Sequence, residues 1–372
     1  MAGRMRTKRA AWVVAAIFVF FALAPVARVA AVTPSTLDQV RRAHDSVVRV
    51  MAVYPLRTRA DGTPEPRPRA HVASGVVIDH QGHVLTTATG LIGCIEIRVR
   101  TAGGKELTAN LLGLDEATDL ALLRIPTDAA PAILHAPPSS VRVGANVFAV
   151  AQSSQGVSDA AGHLTWRYDE PVCSLIQMTT PIRPGNSGGA VVDEQGRLVG
   201  MLIGNLAEVH AADSLVAVGN ARGSAFAVPI DDLVPLMADL ARYGGVPRGF
   251  LGVSIQQGMV DDPEHPSTPA VMGVAVTDVL ANGPAWKAGI RAGDLVVAVN
   301  GQQVNSPDDF MARIMALRPG TATDLMWIRS DKEHHARVSL TATPDSVLAN
   351  RLEAAGASPR ARAQERTEAE QH

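Results

Sequence analysis

The chain has 372 residues, of which 47% are hydrophobic and 19% are charged, and its formal net charge is −2. This length allows two folded domains with apolar cores, and the small net charge gives no reason to expect a nucleic acid as a partner. The sequence has no zinc-type Cys/His spacing, no GxxxxGK[ST] phosphate loop and no CxxCH haem motif. We therefore expect no metal ion and no cofactor.

The N-terminus has the features of an export signal. A basic stretch, RMRTKR, precedes the apolar run AAWVVAAIFVFFALAPVA, and small residues end at Ala31. This pattern is typical of a signal peptide, although the run is also long enough to span a bilayer as an uncleaved inner-membrane anchor. Because basic residues keep the N-terminal side in the cytoplasm, both alternatives predict that the rest of the chain lies in the periplasm or cell envelope.

The segment that follows the signal predicts many short strands. After the strand SVVRVMAV, the proline-rich YPLRTRADGTPEPRPRAH predicts a long exposed loop, and AQSSQGVSDAAGHLTWRYDEP is also interpreted as a loop. Hairpin turns are expected at residues 79–82, 102–105 and 193–196, which favours an all-β sandwich or barrel. The segment PIDDLVPLMADLARYGG has helical periodicity, and Gly244 and Gly245 should end that helix.

A second unit begins near Arg248. GFLGVSI, MGVAVTDVL and DLVVAVNGQQV are strand-like, and SPDDFMARIMAL predicts a helix with Ser306 as its N-cap and Pro307 at the first helical position. The segment TDLMWIRSDKEHHARVSLTA predicts a hairpin that turns at residues 330–332. The tail over residues 345–372 is rich in Ala, Arg, Glu and Gln, which predicts a frayed helix or disorder.

The two cysteines of the chain, Cys94 and Cys173, allow two interpretations. An oxidising compartment would permit a disulfide between them, whereas buried free thiols behave as small apolar side chains. We favour free thiols, because nothing in the sequence fixes the separation of the two residues.

The stretch RPGNSGGAVVDEQGRLVG, residues 183–200, places Ser187 inside a run of glycines ahead of two apolar strands. Such a run either holds a nucleophile among backbone N–H donors or forms a tight loop and nothing more. The difference depends on whether Ser187 has partners that activate its hydroxyl.

Several segments spread along the chain match one pattern when they are taken together. They are ASGVVIDHQGHVLTTATGL, GLDEATDLALLRI, IQMTTPIRPGNSGGAVVDEQGRLVGM with GSAFAVPIDDL, and RGFLGVSI with NGPAWKAGIRAGDLVVAVNGQQV. In this order they resemble the HtrA (Deg) family of exported trypsin-like proteases. The resemblance implies a mostly β fold, with a trypsin-like double six-stranded β-barrel followed by one α+β PDZ domain. It divides the chain into a signal or anchor (1–31), a protease domain (32–245), a PDZ domain (248–344) and a charged tail (345–372).

The resemblance also implies roles for residues of the protease domain. Ser187 falls at the nucleophile, Asp119 at the triad aspartate that orients the imidazole, and the N–H groups of Gly185 and Ser187 at the oxyanion hole. The departure concerns the base, since the position of the family's catalytic histidine holds Thr89. A threonine hydroxyl does not accept a proton from serine near neutral pH, so the resemblance together with this departure implies a pseudoprotease.

Four other histidines are candidates for a displaced base, of which His80 lies in the predicted hairpin turn, farther from position 89 than His83. His83 lies six residues before position 89 on the same strand, about 20 Å away at the usual rise of a strand. His163 and His210 are expected in loops of the second barrel and remain candidates. The sequence departs from the family pattern at two further positions. Thr179 replaces an aspartate, and Arg183 replaces an asparagine.

The PDZ resemblance implies a site for a free peptide C-terminus. The loop GFLG would present backbone N–H groups to the carboxylate, and the strand after it would pair with the peptide. The residues expected to line this site are Leu251, Gly252, Val253, Ile255, Phe310 and Ile314. The alternative for Phe310 and Ile314 is that they belong to the ordinary core, because apolar residues four apart on a helix usually do.

Three functions therefore stay open. We favour an exported, catalytically inactive HtrA-like protein that binds polypeptides or their C-termini through barrel and PDZ domain in envelope protein quality control. The alternatives are an active serine endopeptidase that degrades misfolded periplasmic proteins with a displaced base, and a membrane-anchored PDZ scaffold. The family resemblance also leaves a homotrimer open.

Overall fold

The computed structural model describes residues 33–56, 68–203, 225–260 and 271–343. The signal or anchor and the C-terminal tail lie outside these residues, as does most of the loop predicted after Tyr54. Within the described ranges, no helix is both long and apolar enough to cross a membrane.

The first described element is a helix that the sequence analysis did not predict. Helix α1 (Pro34–His44) begins with Pro34 at the first helical position, and the Thr33 hydroxyl accepts a hydrogen bond from the N–H of Thr36. Both features are typical of a helix N-terminus. Val40 and Ala43 are buried in a core cluster that also includes residues of the two sheets described next.

The first sheet has seven antiparallel strands, where six were expected, in the order β5-β4-β1-β2-β3-β7-β6. They are β1 (Val47–Val53), β2 (Ala70–Val77), β3 (His83–Thr87), β4 (Glu96–Arg100), β5 (Glu106–Thr108), β6 (Asn110–Asp115) and β7 (Leu120–Arg124). A short 3₁₀ turn, Thr89–Leu91, follows β3. The predicted turn at residues 79–82 connects β2 and β3, and the turn at 102–105 connects β4 and β5.

The second sheet is a closed barrel of six strands, as predicted, in the order β10-β13-β12-β11-β8-β9. Its strands are β8 (Asn146–Ser153), β9 (Gly156–Tyr168), β10 (Leu175–Met178), β11 (Ala190–Val192), β12 (Leu198–Ile203) and β13 (Ala225–Pro229). The interpretation of AQSSQGVSDAAGHLTWRYDEP as a loop was wrong. Most of it is strand β9, which pairs with β8 from Asn146–His163 to Ser153–Gly156.

Helix α2 (Ile230–Tyr243) follows the barrel, and Gly244 ends it in the left-handed conformation with φ of 70°. Glycine has no Cβ and therefore adopts this conformation without strain. The buried side chains of Leu233, Leu236 and Leu240 pack into the cluster that joins the two sheets.

The C-terminal unit is a sheet of six strands with two short helices. The elements are β14 (Val253–Val260), β15 (Val271–Val279), α3 (Pro284–Lys287), β16 (Leu295–Val299), β17 (Gln302–Gln303), α4 (Pro307–Met315), β18 (Ala322–Arg329) and β19 (Lys332–Ser339). The strand order is β14-β15-β16-β18-β19, with β17 paired to β16. As predicted, Ser306 is the N-cap of α4, and its hydroxyl accepts from the N–H of Asp309 at 3.2 Å.

A buried ion pair connects the C-terminal unit to the first sheet. Arg248 donates to Asp115 at the end of β6, with Nε–Oδ1 at 3.2 Å and Nη2–Oδ2 at 2.5 Å. The side chains are 10% and 9% exposed. Arg248 also donates through Nη1 to the carbonyl oxygen of Met315 at 3.3 Å, so that one side chain joins β6 to the end of α4.

Candidate functional site

The loop that carries Ser187 lies where the first sheet meets the barrel. The N–H of Asn186 donates to the carbonyl of Arg183 at 3.0 Å, which closes a β-turn with Gly185 at φ of 88°. A Cβ at Gly188 would come within 2.1 Å of the carbonyl oxygen of Ser74, so only glycine allows the loop to approach β2 this closely.

Ser74, which is fully buried on β2, fixes this loop through each of its polar groups. Its N–H donates to the carbonyl of Ser187 at 2.8 Å, and its hydroxyl donates to the carbonyl of Gly185 at 2.8 Å. The hydroxyl also accepts from the N–H of Gln152 at 3.0 Å, and the carbonyl accepts from the Thr86 hydroxyl at 2.7 Å. Ser74 therefore ties the loop to β3 and β8 as well as to β2.

Two backbone donors of the loop have no partner within the described part of the chain. The N–H groups of Asn186, Gly188 and Gly189 all donate to carbonyl oxygens, whereas those of Gly185 and Ser187 do not. These are the two N–H groups expected at the oxyanion hole. The Ser187 hydroxyl, in a half-buried residue, also has no hydrogen bond to any described residue.

Asp119 and Thr89 are in direct contact. The Thr89 hydroxyl and the Thr89 N–H each donate to Oδ1 of Asp119 at 2.7 Å. Asp119 is 6% exposed and adopts a φ of 54°, a conformation that aspartate tolerates better than most residues. The carboxylate that would orient an imidazole in a triad is here bound by a group that accepts no proton.

None of the described histidines is hydrogen-bonded to the Ser187 hydroxyl. His163, expected in a loop, lies instead on β9, where its Nδ1 is 3.3 Å from the hydroxyl of Thr179. His83 is bound to Asp79 at 2.6 Å in the β2–β3 hairpin. His210 lies outside the described residues.

The sequence reasoning missed His71, an exposed residue on β2. Its ring packs against Gly90, where a Cβ would come within 2.2 Å of Cδ2 and 2.6 Å of Nε2. The ring therefore lies beside the residue that follows Thr89. The only feature of the sequence that relates to this contact is the glycine at position 90, which leaves room for the ring. A glycine alone does not indicate which residue will pack against it.

The residues expected to bind a peptide in the C-terminal unit divide into two groups. Leu251, Phe310 and Ile314 are buried in the core, with exposures of 3%, 0% and 3%, and Val253 and Ile255 are half-buried beside them. Gly252 adopts a φ of 80° ahead of β14, which is an edge strand of its sheet. A peptide could pair as an additional strand with the edge strand β14 beside the Gly252 loop, whereas Phe310 and Ile314 are as buried as core residues.

Cys94 and Cys173 are both free thiols, in agreement with the favoured interpretation. Burial raises the pKa of the Cys173 thiol, and the neighbouring charge of Asp232 raises that pKa further. Among the described residues, no group of three or more His, Cys, Asp or Glu side chains is placed to bind a metal ion.

Comparison with known families and structures assigns both units. Residues 73–201 match the family described as Trypsin-like peptidase domain, and residues 249–340 match the family described as PDZ domain. A probable periplasmic serine protease do/HhoA-like of Haemophilus influenzae is 32% identical over 292 residues, which are 76% of this chain and 60% of the relative. The chain belongs to the HtrA family. It carries one trypsin-like domain and one PDZ domain, as the sequence predicts.

Other relatives and structures agree with this assignment. A probable periplasmic serine endoprotease DegP-like of Pseudomonas putida is 31% identical over 304 residues, which are 80% of this chain and 61% of the relative. The chain thus spans about three fifths of the length of these HtrA relatives. The serine endoprotease from Yersinia pestis has a TM-score of 0.61 at 26% identity, covering 84% of this chain and 100% of that structure. The HtrA-type protease AlgW with a decapeptide, at 24% identity and a TM-score of 0.62, has the same fold and covers 83% of this chain and 99% of that structure.

Proposed function

We propose that this HtrA protein binds polypeptides in the periplasm without cutting them, and that its barrel and its PDZ domain are separate binding sites in envelope protein quality control. One observation carries the proposal: at the position of the family's histidine, the hydroxyl and the N–H of Thr89 both donate to Asp119, and no described histidine is hydrogen-bonded to Ser187. Removing the base alone costs about 10⁶ in turnover in a related triad. The periplasmic location is supported by the export signal and by the periplasmic relatives.

The remaining features suit the binding of a polypeptide. The Gly185–Ser187 loop keeps two free N–H donors, and Ser74 holds the loop in place, so a polypeptide carbonyl or carboxylate has partners there. In the PDZ domain, the edge strand β14 and the glycine loop before it offer backbone groups to a peptide C-terminus.

The test compares the exported chain with Ser187→Ala in two assays. We expect no casein hydrolysis and no fluorophosphonate labelling above the level of the variant, because the Ser187 hydroxyl is not activated. Unfolded casein should bind to both proteins equally in fluorescence anisotropy, because the variant keeps the backbone donors.

Each assay has one outcome that would contradict the proposal. Casein hydrolysis that disappears in Ser187→Ala would overturn the non-catalytic proposal and direct the search for a base to His71, His163 and His210. A lack of casein binding by either protein would overturn the polypeptide-binding proposal.

A further inference from the structure

We propose that the Gly185–Ser187 loop of the barrel binds the C-terminal carboxylate of a polypeptide, so that the barrel holds chain ends rather than internal segments. The inference rests on the proposed function, because a barrel with a working base would use the same loop for catalysis. It gives this protein a second site for chain ends besides the PDZ domain.

The first argument is that two backbone N–H donors of the loop have no hydrogen-bond partner among the described residues. The N–H groups of Asn186, Gly188 and Gly189 are bonded within the loop or to the barrel, and those of Gly185 and Ser187 donate to nothing in the described ranges. Backbone donors in partly buried positions need a partner. A carboxylate offers two oxygens, and its negative charge makes each N–H···O bond stronger than a bond to a neutral carbonyl.

The second argument is that the loop is already fixed. The hydroxyl and the N–H of Ser74 bind the carbonyl oxygens of Gly185 and Ser187, both at 2.8 Å, which fixes the Gly185–Asn186 and Ser187–Gly188 peptide groups. The close contact of Gly188 with the Ser74 carbonyl leaves the loop little room to shift. A ligand therefore binds a prepared site and does not have to order it.

The third argument is charge. Arg183 is exposed on the same turn, and it forms no ion pair with any described residue. Thr179 stands where the family pattern has an aspartate, so this segment has one negative charge fewer and one positive charge more than that pattern. The carboxylate of Asp119 is 6% exposed and accepts two hydrogen bonds from Thr89, which offset its charge. The charge balance therefore favours an anion at the loop.

An internal peptide carbonyl is the competing ligand, since it also accepts from two N–H groups. It carries no net charge, so Arg183 adds nothing to its binding. A peptide with a free C-terminus and the same peptide with a C-terminal amide separate the two ligands.

The experiment is photo-crosslinking of the full exported chain with an apolar hexapeptide that carries benzoylphenylalanine as its penultimate residue. Trypsin releases the loop in the fragment 168–197 and the PDZ strand β14 in the fragment 249–287, so the two sites are measured separately by mass spectrometry. We expect the free acid to label fragment 168–197 about tenfold more than the amide does. Arg183→Gln should lower labelling by the free acid about threefold or more and leave labelling by the amide unchanged.

The matched control is Arg98→Gln, which removes an arginine that pairs with Glu96 on strand β4 of the first sheet. It should leave the labelling of both fragments as in the unmodified chain. Equal labelling of fragment 168–197 by acid and amide would overturn the carboxylate proposal and leave polypeptide binding by the barrel intact. Labelling confined to fragment 249–287 would overturn both the carboxylate proposal and the binding function of the barrel.

Discussion

At the scale of single residues, the contact between Thr89 and Asp119 decides how the site is interpreted. Asp119 is almost fully buried, and a buried carboxylate needs hydrogen bonds. Thr89 donates two hydrogen bonds to Asp119, one from its hydroxyl and one from its N–H, although Thr89 itself is exposed. The threonine thus satisfies the aspartate structurally where the family pattern has a histidine.

Thr89→Ala should destabilise the fold without changing hydrolysis. The variant removes one of the two hydrogen bonds to a buried carboxylate, which costs about 1–2 kcal/mol. Urea unfolding of the two proteins measures the difference. Thr108→Ala, at an exposed threonine on the edge strand β5, is the control and should change the unfolding free energy by less than about 0.5 kcal/mol. A Thr89→Ala variant as stable as the unmodified chain would show that the contact contributes nothing.

A side chain at position 90 should be tolerated only when His71 is shortened. Gly90→Ala brings a Cβ to within 2.2 Å of the His71 ring and should cost about 1 kcal/mol of unfolding free energy. In the His71→Ala background the same change should cost close to nothing, and a double-mutant cycle by urea unfolding measures the coupling. An equal cost in both backgrounds would mean that the ring moves aside freely.

At the scale of elements, β9 shows how tertiary context overrides composition. The segment GVSDAAGH is small and polar and has weak strand propensity. It forms a strand because it pairs along its whole length with β8, and the residues that follow it, 164–168, pair with β10 and continue the closed barrel. Helix α1 is similar, since most of its residues are polar and only Val40 and Ala43 are buried against the two sheets.

The packing of helix α1 should contribute less to the stability of the fold as the pH falls. Burial lowers the pKa of His44 below its ordinary value, although Asp159 lies 3.7 Å away and its charge acts in the other direction. The unfolded chain therefore takes up the proton more readily than the folded one, and stability is lost as the pH falls through the ordinary histidine range. We expect the urea midpoint to drop between about pH 7.5 and 5.5, and to drop less in His44→Leu.

The control for this pH dependence is His335→Gln, which changes a histidine that is 65% exposed. It should keep the slope of the unmodified chain. A slope that is the same in His44→Leu and in the unmodified chain would show that another group is responsible.

At the scale of the whole molecule, the trypsin-like domain and the PDZ domain are joined by charged side chains. Arg248 links Asp115 to the end of α4, and Arg318 of the PDZ domain pairs with Asp239 of α2 at 2.6 Å. The two pairs differ in burial. The side chain of Arg318 is 53% exposed, whereas that of Arg248 is 10% exposed. Only the buried pair is expected to hold the two domains in one arrangement.

Arg248→Met should uncouple the two domains. The variant leaves the buried Asp115 carboxylate without its cation, which costs about 3 kcal/mol, and the thermal unfolding of the trypsin-like domain and the PDZ domain should separate in calorimetry. Arg318→Gln is the matched control and should change stability by less than about 1 kcal/mol. Unfolding of Arg248→Met in the same transition as the unmodified chain would contradict the proposed role of the pair.

The hairpin turns and the helix capped by Ser306 could be predicted from the residues, because glycine turns, caps and alternating apolar residues are local features of the chain. The resemblance to the HtrA family added the order of the two domains and the significance of Thr89. Three features could not be predicted in this way: that β9 is a strand, that His71 packs against Gly90 and that Ser74 holds the loop of Ser187. Each of these depends on a partner distant in sequence, and no local pattern encodes which backbone or side chain will be brought against it.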